Sequence, residues 1–248
     1  MERTELAWTY EPADFFEAPY APASPDCSFH IDGGKAIATL RPPQSPVDPT
    51  LEDRIARYLR GVFLVRQLQM HRKYHLAERA IVHQFNASGG KGAEIRVVCG
   101  DTLRIGMRAE FVLRHADGTV IHDSRAERIA SHTLILDMVA PKAAQSPTLY
   151  KMLESYKRSV SDSDNELVHL YEIRDALRTH FGSEARAKIA LGITREEWGR
   201  IGTLANHEPL LQGRHWGTHP TTRPATASEL EEARALVHGW IIDFARRL

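Results

Sequence analysis

Cysteine is nearly absent from this chain. Cys27 and Cys99 are the only two in 248 residues, far apart and without a Cys-x-x-Cys spacing. That excludes a disulfide framework and a thiolate zinc site, and leaves two buried or idle thiols as the reading. Long apolar runs are missing too: no stretch approaches the ~20 residues of a membrane span. Met1-Glu2-Arg3-Thr4-Glu5 lacks the basic start and apolar core of a signal peptide. The expectation is a cytoplasmic protein with no membrane partner. Net charge is also missing, because 32 Lys and Arg balance 32 Asp and Glu. No overall field advertises a polyanion, so any nucleic-acid binding must be local.

What is present changes character along the chain. Proline crowds the first fifty residues (Pro12, Pro19, Pro22, Pro25, Pro42, Pro43, Pro46, Pro49), and its fixed φ and missing donor favour extended segments over long helices there. Segments 28–31 and 35–40 flank Asp32-Gly33-Gly34, a hairpin signal. Leu51, Ile55, Tyr58, Leu59, Val62 and Val65 then recur at helical spacing, predicting a helix from Thr50 to about His71. Strand patterns return at 80–85 and 94–98, around a Gly-rich loop at 88–92 that lacks the GxxxxGK[ST] spacing of a phosphate cradle. Strict alternation at 103–113 predicts a strand with one packed face, and Asp117-Gly118 turns it into a partner at 119–123.

Ala140-Pro141-Lys142-Ala143-Ala144-Gln145-Ser146-Pro147 reads as a linker, after which strand signals vanish. Helices are predicted at 147–160, 164–181, 184–191, 194–205 and 228–248, with capping logic at Thr194/Glu197 and Ser228/Glu231. In the last one Leu230, Ala233, Val237, Trp240, Ile241, Phe244 and Leu248 form one stripe. The predicted class is α+β: a β-rich domain with one prominent helix at 1–145, then an all-α helical bundle at 146–248.

The richest stretch for chemistry is Ala205-Asn206-His207-Glu208-Pro209-Leu210-Leu211-Gln212-Gly213-Arg214-His215-Trp216-Gly217-Thr218-His219. Proline and glycines keep it out of regular helix, so polar and aromatic side chains project from a turn between helices. Arg214 suits a phosphate, and His215 or His219 suits proton transfer near neutral pH. Asn206, His207 and Trp216 could orient or stack a nucleotide. Glu172, beside Tyr171 on a preceding helix, is expected to face this turn as its carboxylate, and Arg174 either to complete a cationic pocket with Arg214 or to snorkel outward.

The Arg214-His215-Trp216-Gly217-Thr218-His219 run resembles the Arg-polar-x-x-x-His signature of HEPN domains. Tyr171-Glu172 together with the 205–217 run also resembles C-terminal regions of bacterial proteins that carry a Tyr-Glu helix and then Ala-Asn-His-x-x-x-x-Gly-x-x-Arg-His-x-Gly. The likeness covers roughly residues 165–248. It implies an endoribonuclease that cleaves RNA without metal or cofactor, in bacterial stress or defence, with Arg214, His215, His219 and Glu172 as its catalytic set.

Other readings compete with it. Six Arg–His pairs share such a spacing, and only position between helices and the neighbouring Asn206 single out Arg214/His219. His71/His75 and His215/His219 have the i, i+4 spacing of zinc ligands, but no His-Glu-x-x-His occurs. A non-catalytic module is the main alternative, in which the bundle dimerises or docks a partner. Arg214 would then pair with Glu172 or Glu208 and staple a helix crossing.

Overall fold

The computed structural model describes residues 3–22, 24–44, 46–85, 112–114, 120–214 and 221–248. The chain is α+β. It forms two compact units that interleave in sequence, one of Met1–Ala56 with Tyr74–Leu134 and one of Arg57–Lys73 with Ile135–Leu248.

The first unit is built on a sheet of five strands: β1 (Arg3–Glu11), β2 (Cys27–Asp32), β3 (Lys35–Leu40), β4 (His75–Leu76) and β5 (Ile81–Phe85). Its order is β2-β3-β1-β4, with β5 also pairing β1. The predicted hairpin is present, with Asp32 opposite Lys35. Gly33 (φ 53°) and Gly34 (φ 83°) supply the two left-handed positions that a two-residue turn between twisted strands demands. Alternation along β1 buries Leu6, Trp8 and Tyr10. They join Phe15, Phe16, Tyr20, Phe29 and Ile31 in an aromatic-rich core, where Phe16 stacks on Tyr20 with ring centroids 6.2 Å apart. Two short strands, β6 (Val112–Arg114) and β7 (Val120–Asp123), pair antiparallel. The expected strands at 94–98 and over most of 103–113 lie outside the described residues.

The long helix α1 (Pro49–Met70) matches its prediction to within a residue at each end. Its run from Gly61 to Leu68 is buried on every side, the polar Arg66 and Gln67 included. Helix α2 (Ser124–Gln145) overturns the linker read at 140–147: it runs on through Pro141. Buried Val139, Ala140 and Ala143 outweigh the single backbone bond that proline forfeits, and Lys142 Nζ donates to the Ala245 carbonyl at 2.8 Å. The break falls instead at Ser146, whose hydroxyl accepts from the Leu149 N–H ahead of Pro147.

The second unit continues as α3 (Pro147–Ser161), a 3-10 turn (Ser163–Asn165), α4 (Glu166–Phe181), α5 (Glu184–Leu191), α6 (Arg195–Asn206) and α7 (Ala227–Arg247). Helix α4 is central and packs against α3, α5, α6 and α7. Its Leu167, Leu170, Ile173 and Leu177 meet a core that includes Leu149, Met152, Phe244 and the stacked pair Trp198–Trp240, 5.5 Å between centroids. The Thr194/Glu197 capping box forms as expected. In α7 the box is Thr226/Glu229 rather than Ser228/Glu231. Both pairs have the same spacing, but Arg223 grips Glu229 at 2.7 and 2.9 Å and decides which start is used.

Candidate functional site

The candidate turn begins where α6 runs out. Both His207 and Glu208 donate their backbone N–H to the Thr203 carbonyl at 2.9 Å. Pro209 ends the helix, and Leu210, fully buried, anchors the chain beyond it. Leu211 N–H donates to the Arg223 carbonyl at 2.9 Å and Arg223 N–H to the Pro209 carbonyl at 2.8 Å, a short parallel bridge. Gln212 Oε1 accepts from the Ala225 N–H, and Arg214 N–H donates to the Ala205 carbonyl at 2.6 Å. The loop therefore closes on backbone groups, with Arg214 delivered back to the end of α6.

Side-chain charge reinforces the closure without involving Arg214. Glu208 lies 3.8 Å from both Arg200 and Arg223, Arg200 reaches Glu232 at 2.9 Å, and Arg223 holds Glu229. The Arg223 hydrogen bond, then the Thr226 N–H, hold the Glu229 carboxyl down at about 2. Glu208 is thus committed to Arg200 and Arg223, which removes one of the two carboxylates expected for Arg214.

Glu172 is the other, and it faces elsewhere. Its Oε2 accepts from Arg158 Nη2 at 2.7 Å and from the buried Ser155 hydroxyl at 3.0 Å, with His169 Nδ1 at 3.7 Å. Successive residues on a helix point about 100° apart, so Tyr171 and Glu172 cannot both look at one neighbour. Tyr171 looks at the turn, and Glu172 at α3.

Arg214 is exposed, and its guanidinium carbon lies 5.1 Å from the centroid of the Tyr171 ring. Among the described residues it makes no ion pair. Arg174 is at the same distance from the same ring, and also 5.0 Å from the Trp198 centroid. The two guanidinium carbons are therefore at most about 10 Å apart, joined through one aromatic face system. Unlike Arg214, Arg174 is neutralised, with its Nη2 3.3 Å from Glu184 Oε2. Burial pushes the Glu184 carboxyl up, but the Lys188 hydrogen bond, the neighbouring Trp198 indole and the charges of Lys188 and Arg174 outweigh it, and the net displacement is downward. The buried Trp198 N–H contributes to that field without completing a hydrogen bond of regular geometry.

The structure thus joins Arg214 and Arg174 at Tyr171, with half-buried Asn206 and exposed His207 closing α6 alongside. It does not bring Glu172 to them. His215, Trp216 and His219 lie outside the described residues. Among the described residues, no group of three or more His, Cys, Asp or Glu side chains could hold a metal ion. His71 and His75 do not share a helical face: α1 ends at Met70, His71 sits at φ 46° and His75 is in β4. No described helix is long and apolar enough to cross a membrane.

Sequence reasoning missed one polar cluster in the second unit. Glu166, 2% exposed, receives Arg234 Nε and Nη2 at 2.5 and 2.8 Å. His71 Nε2 is 3.7 Å from Glu166 Oε1, and its Nδ1 is 3.0 Å from the buried Tyr156 hydroxyl. Burial, then the Arg234 charge, hold the His71 imidazole below the ordinary histidine range against the opposing pull of Glu166. The segment just after α1 and helices α3, α4 and α7 supply these residues, so no local spacing announces them. His71 also takes a left-handed backbone at φ 46°, which the sequence does not announce. No family model, curated protein or solved structure matches this chain.

Proposed function

We propose that the protein processes RNA, with Arg214 engaging a phosphate of the strand. The observation that carries this reading is an exposed guanidinium, without a carboxylate partner among the described residues, fixed in place by its own backbone and an aromatic ring. A guanidinium held beside a ring, with no carboxylate partner among the described residues, has N–H groups left to match two phosphate oxygens. Glu172 and Glu208 are taken up by other cations, so the turn presents positive charge to an anion.

Cleavage is the proposed chemistry, and it needs no metal in this reading. Arg214 would stabilise charge gathering on the phosphoryl oxygens, and His215 or His219 would move the proton between the ribose hydroxyl and the leaving oxygen. The resemblance of the 205–219 run to HEPN domains supports this choice and is the only ground for a role in bacterial stress or defence. The carboxylate Glu172, expected as a fourth participant, has no part in it. Asn206 and His207 flank the phosphate position and would contact the neighbouring nucleotide.

Binding tests the first half of this reading. A fluorescently labelled single-stranded RNA should bind the wild type with an affinity that falls as salt rises. Arg214→Ala should weaken it about tenfold or more, while Arg214→Lys, which keeps the charge and loses the fork, should lie between them. Equal affinity for all three proteins would defeat the assignment of Arg214.

The absence of Glu172 from the turn favours a second reading on one point, that of a binding module without chemistry. In that case the same RNA binds at Arg214 and is released intact.

A further inference from the structure

We propose that Arg174 is a positioning residue for Arg214: it fixes the Tyr171 ring on which the Arg214 guanidinium lies, and position 202 is glycine to leave room for it. The inference rests on the reading of Arg214 as the phosphate-binding group.

Tyr171 and Arg174 are three residues apart on α4 and share a face of that helix. The Arg174 guanidinium carbon is 5.1 Å from the Tyr171 centroid and 5.0 Å from that of the fully buried Trp198 on α6. Glu184, on α5, holds Nη2 at 3.3 Å. Contacts from three helices thus fix one guanidinium, whose side chain is only 18% exposed. A cation so placed limits the rotation of the tyrosine ring it covers, and the ring in turn is the surface against which Arg214 is held.

Gly202 supplies the second observation. A β-carbon at this position on α6 would stand 2.4 Å from Arg174 Nη1 and 3.5 Å from its Cζ. Real β-carbons essentially never show a non-bonded contact under 3.0 Å, so the guanidinium occupies space that any side chain at 202 would claim. The obstruction is the far end of a flexible side chain, and Arg174 would yield before the helix did. Alanine is also the better helix former, which offsets the crowding. Gly202→Ala is therefore a lever that displaces Arg174 without touching Tyr171 or Arg214. Glu184 cancels the charge of Arg174, so two arginines can share one ring and Arg214 alone is left to meet an anion.

The test reads the position of Arg214 separately from RNA. In uniformly 15N-labelled full-length protein, the Arg214 Nε–Hε signal, identified by its loss in Arg214→Lys, should be displaced by the tyrosine ring current. Gly202→Ala and Arg174→Gln should each return it towards the position of free arginine, with the far-ultraviolet circular dichroism unchanged. Each should also weaken binding of the labelled single-stranded RNA about threefold. A signal unmoved in both variants overturns the positioning role, whatever the RNA does. Should the wild type bind no RNA while the signal moves as expected, the positioning role stands and the RNA reading falls. RNA binding that is intact in both variants, with Arg214→Ala still defective, leaves the RNA reading standing and removes Arg174 from it.

Discussion

The Arg214 guanidinium carbon lies 5.1 Å from the centroid of Tyr171, a residue forty-three positions earlier on the central helix of its unit. At an exposed site such a contact is worth about 0.5–1 kcal/mol, which biases the arginine side chain towards the ring. Its own N–H is bound to the Ala205 carbonyl, the turn is closed on Arg223 and Ala225, and the ring holds the side chain. A cation restrained at both ends loses less freedom when it meets an anion than one on a free stem.

Glu172→Gln should leave RNA binding and any cleavage unchanged, because its carboxylate serves Arg158 and Ser155 on α3. Both partners of the ion pair are partly exposed, so the variant should lose at most about 1 kcal/mol in urea unfolding. A loss of RNA processing at unchanged stability would return Glu172 to the site.

His71 gives the second unit a pH dependence whose sign is fixed. Its ordinary value is 6.5, and burial and Arg234 lower it in the folded chain. The unfolded chain therefore takes up this proton more readily, and native stability falls as pH drops below 6.5 through the folded value. Removing the group should flatten that loss. His71→Asn, which tolerates the left-handed backbone, should show a smaller drop in unfolding free energy between pH 7.5 and pH 5 than the wild type. Half-buried His238 has the same sign and is common to both proteins, while Glu229, held at about 2, acts only at more acid pH. Equal slopes would contradict the assignment.

The Glu166–Arg234 pair should be costly to break on one side only. Arg234→Met leaves a nearly inaccessible carboxylate without its arginine and with the His71 imidazole 3.7 Å away, and a loss of about 3–5 kcal/mol is expected by thermal or urea unfolding. Arg234→Met with Glu166→Leu should recover much of it, since the paired charges then leave together. A double variant as unstable as the single one would mean that packing, not the stranded charge, sets the cost.

Much of the fold is legible from local pattern. Helix α1, the Gly33–Gly34 hairpin and every helix from α3 to α7 follow from spacing, caps and breakers, the cap of α7 excepted, because each signal lies within a few residues of what it specifies. Helix α2 is the failure, since Pro141 and small residues read as a linker until the burial of Val139, Ala140 and Ala143 is seen. The site divides the same way. The turn at 205–214 is visible as a turn, and Tyr171 is correctly placed against it. The direction of Glu172 is not visible, because one helical step decides between α3 and α6. The Gly202–Arg174 fit and the His71–Tyr156–Glu166–Arg234 cluster depend on tertiary placement alone.

Cys27 should be inert in the native protein. It is fully buried, and burial pushes its thiol up to about 11. In Cys99→Ser, the remaining thiol should resist a thiol-reactive disulfide reagent at pH 8 and react completely in denaturant. Rapid native reaction would show that the first unit opens readily.

Incubation of purified wild type and Arg214→Ala with an end-labelled single-stranded RNA in excess EDTA, alongside their thermal unfolding curves, tests the central claim most directly. The account predicts metal-independent cleavage by the wild type, a loss of about 100-fold or more in Arg214→Ala, and superimposable unfolding. RNA left intact by the wild type, together with an Arg214→Ala protein whose second unit unfolds early, would contradict it and make this turn a staple between helices.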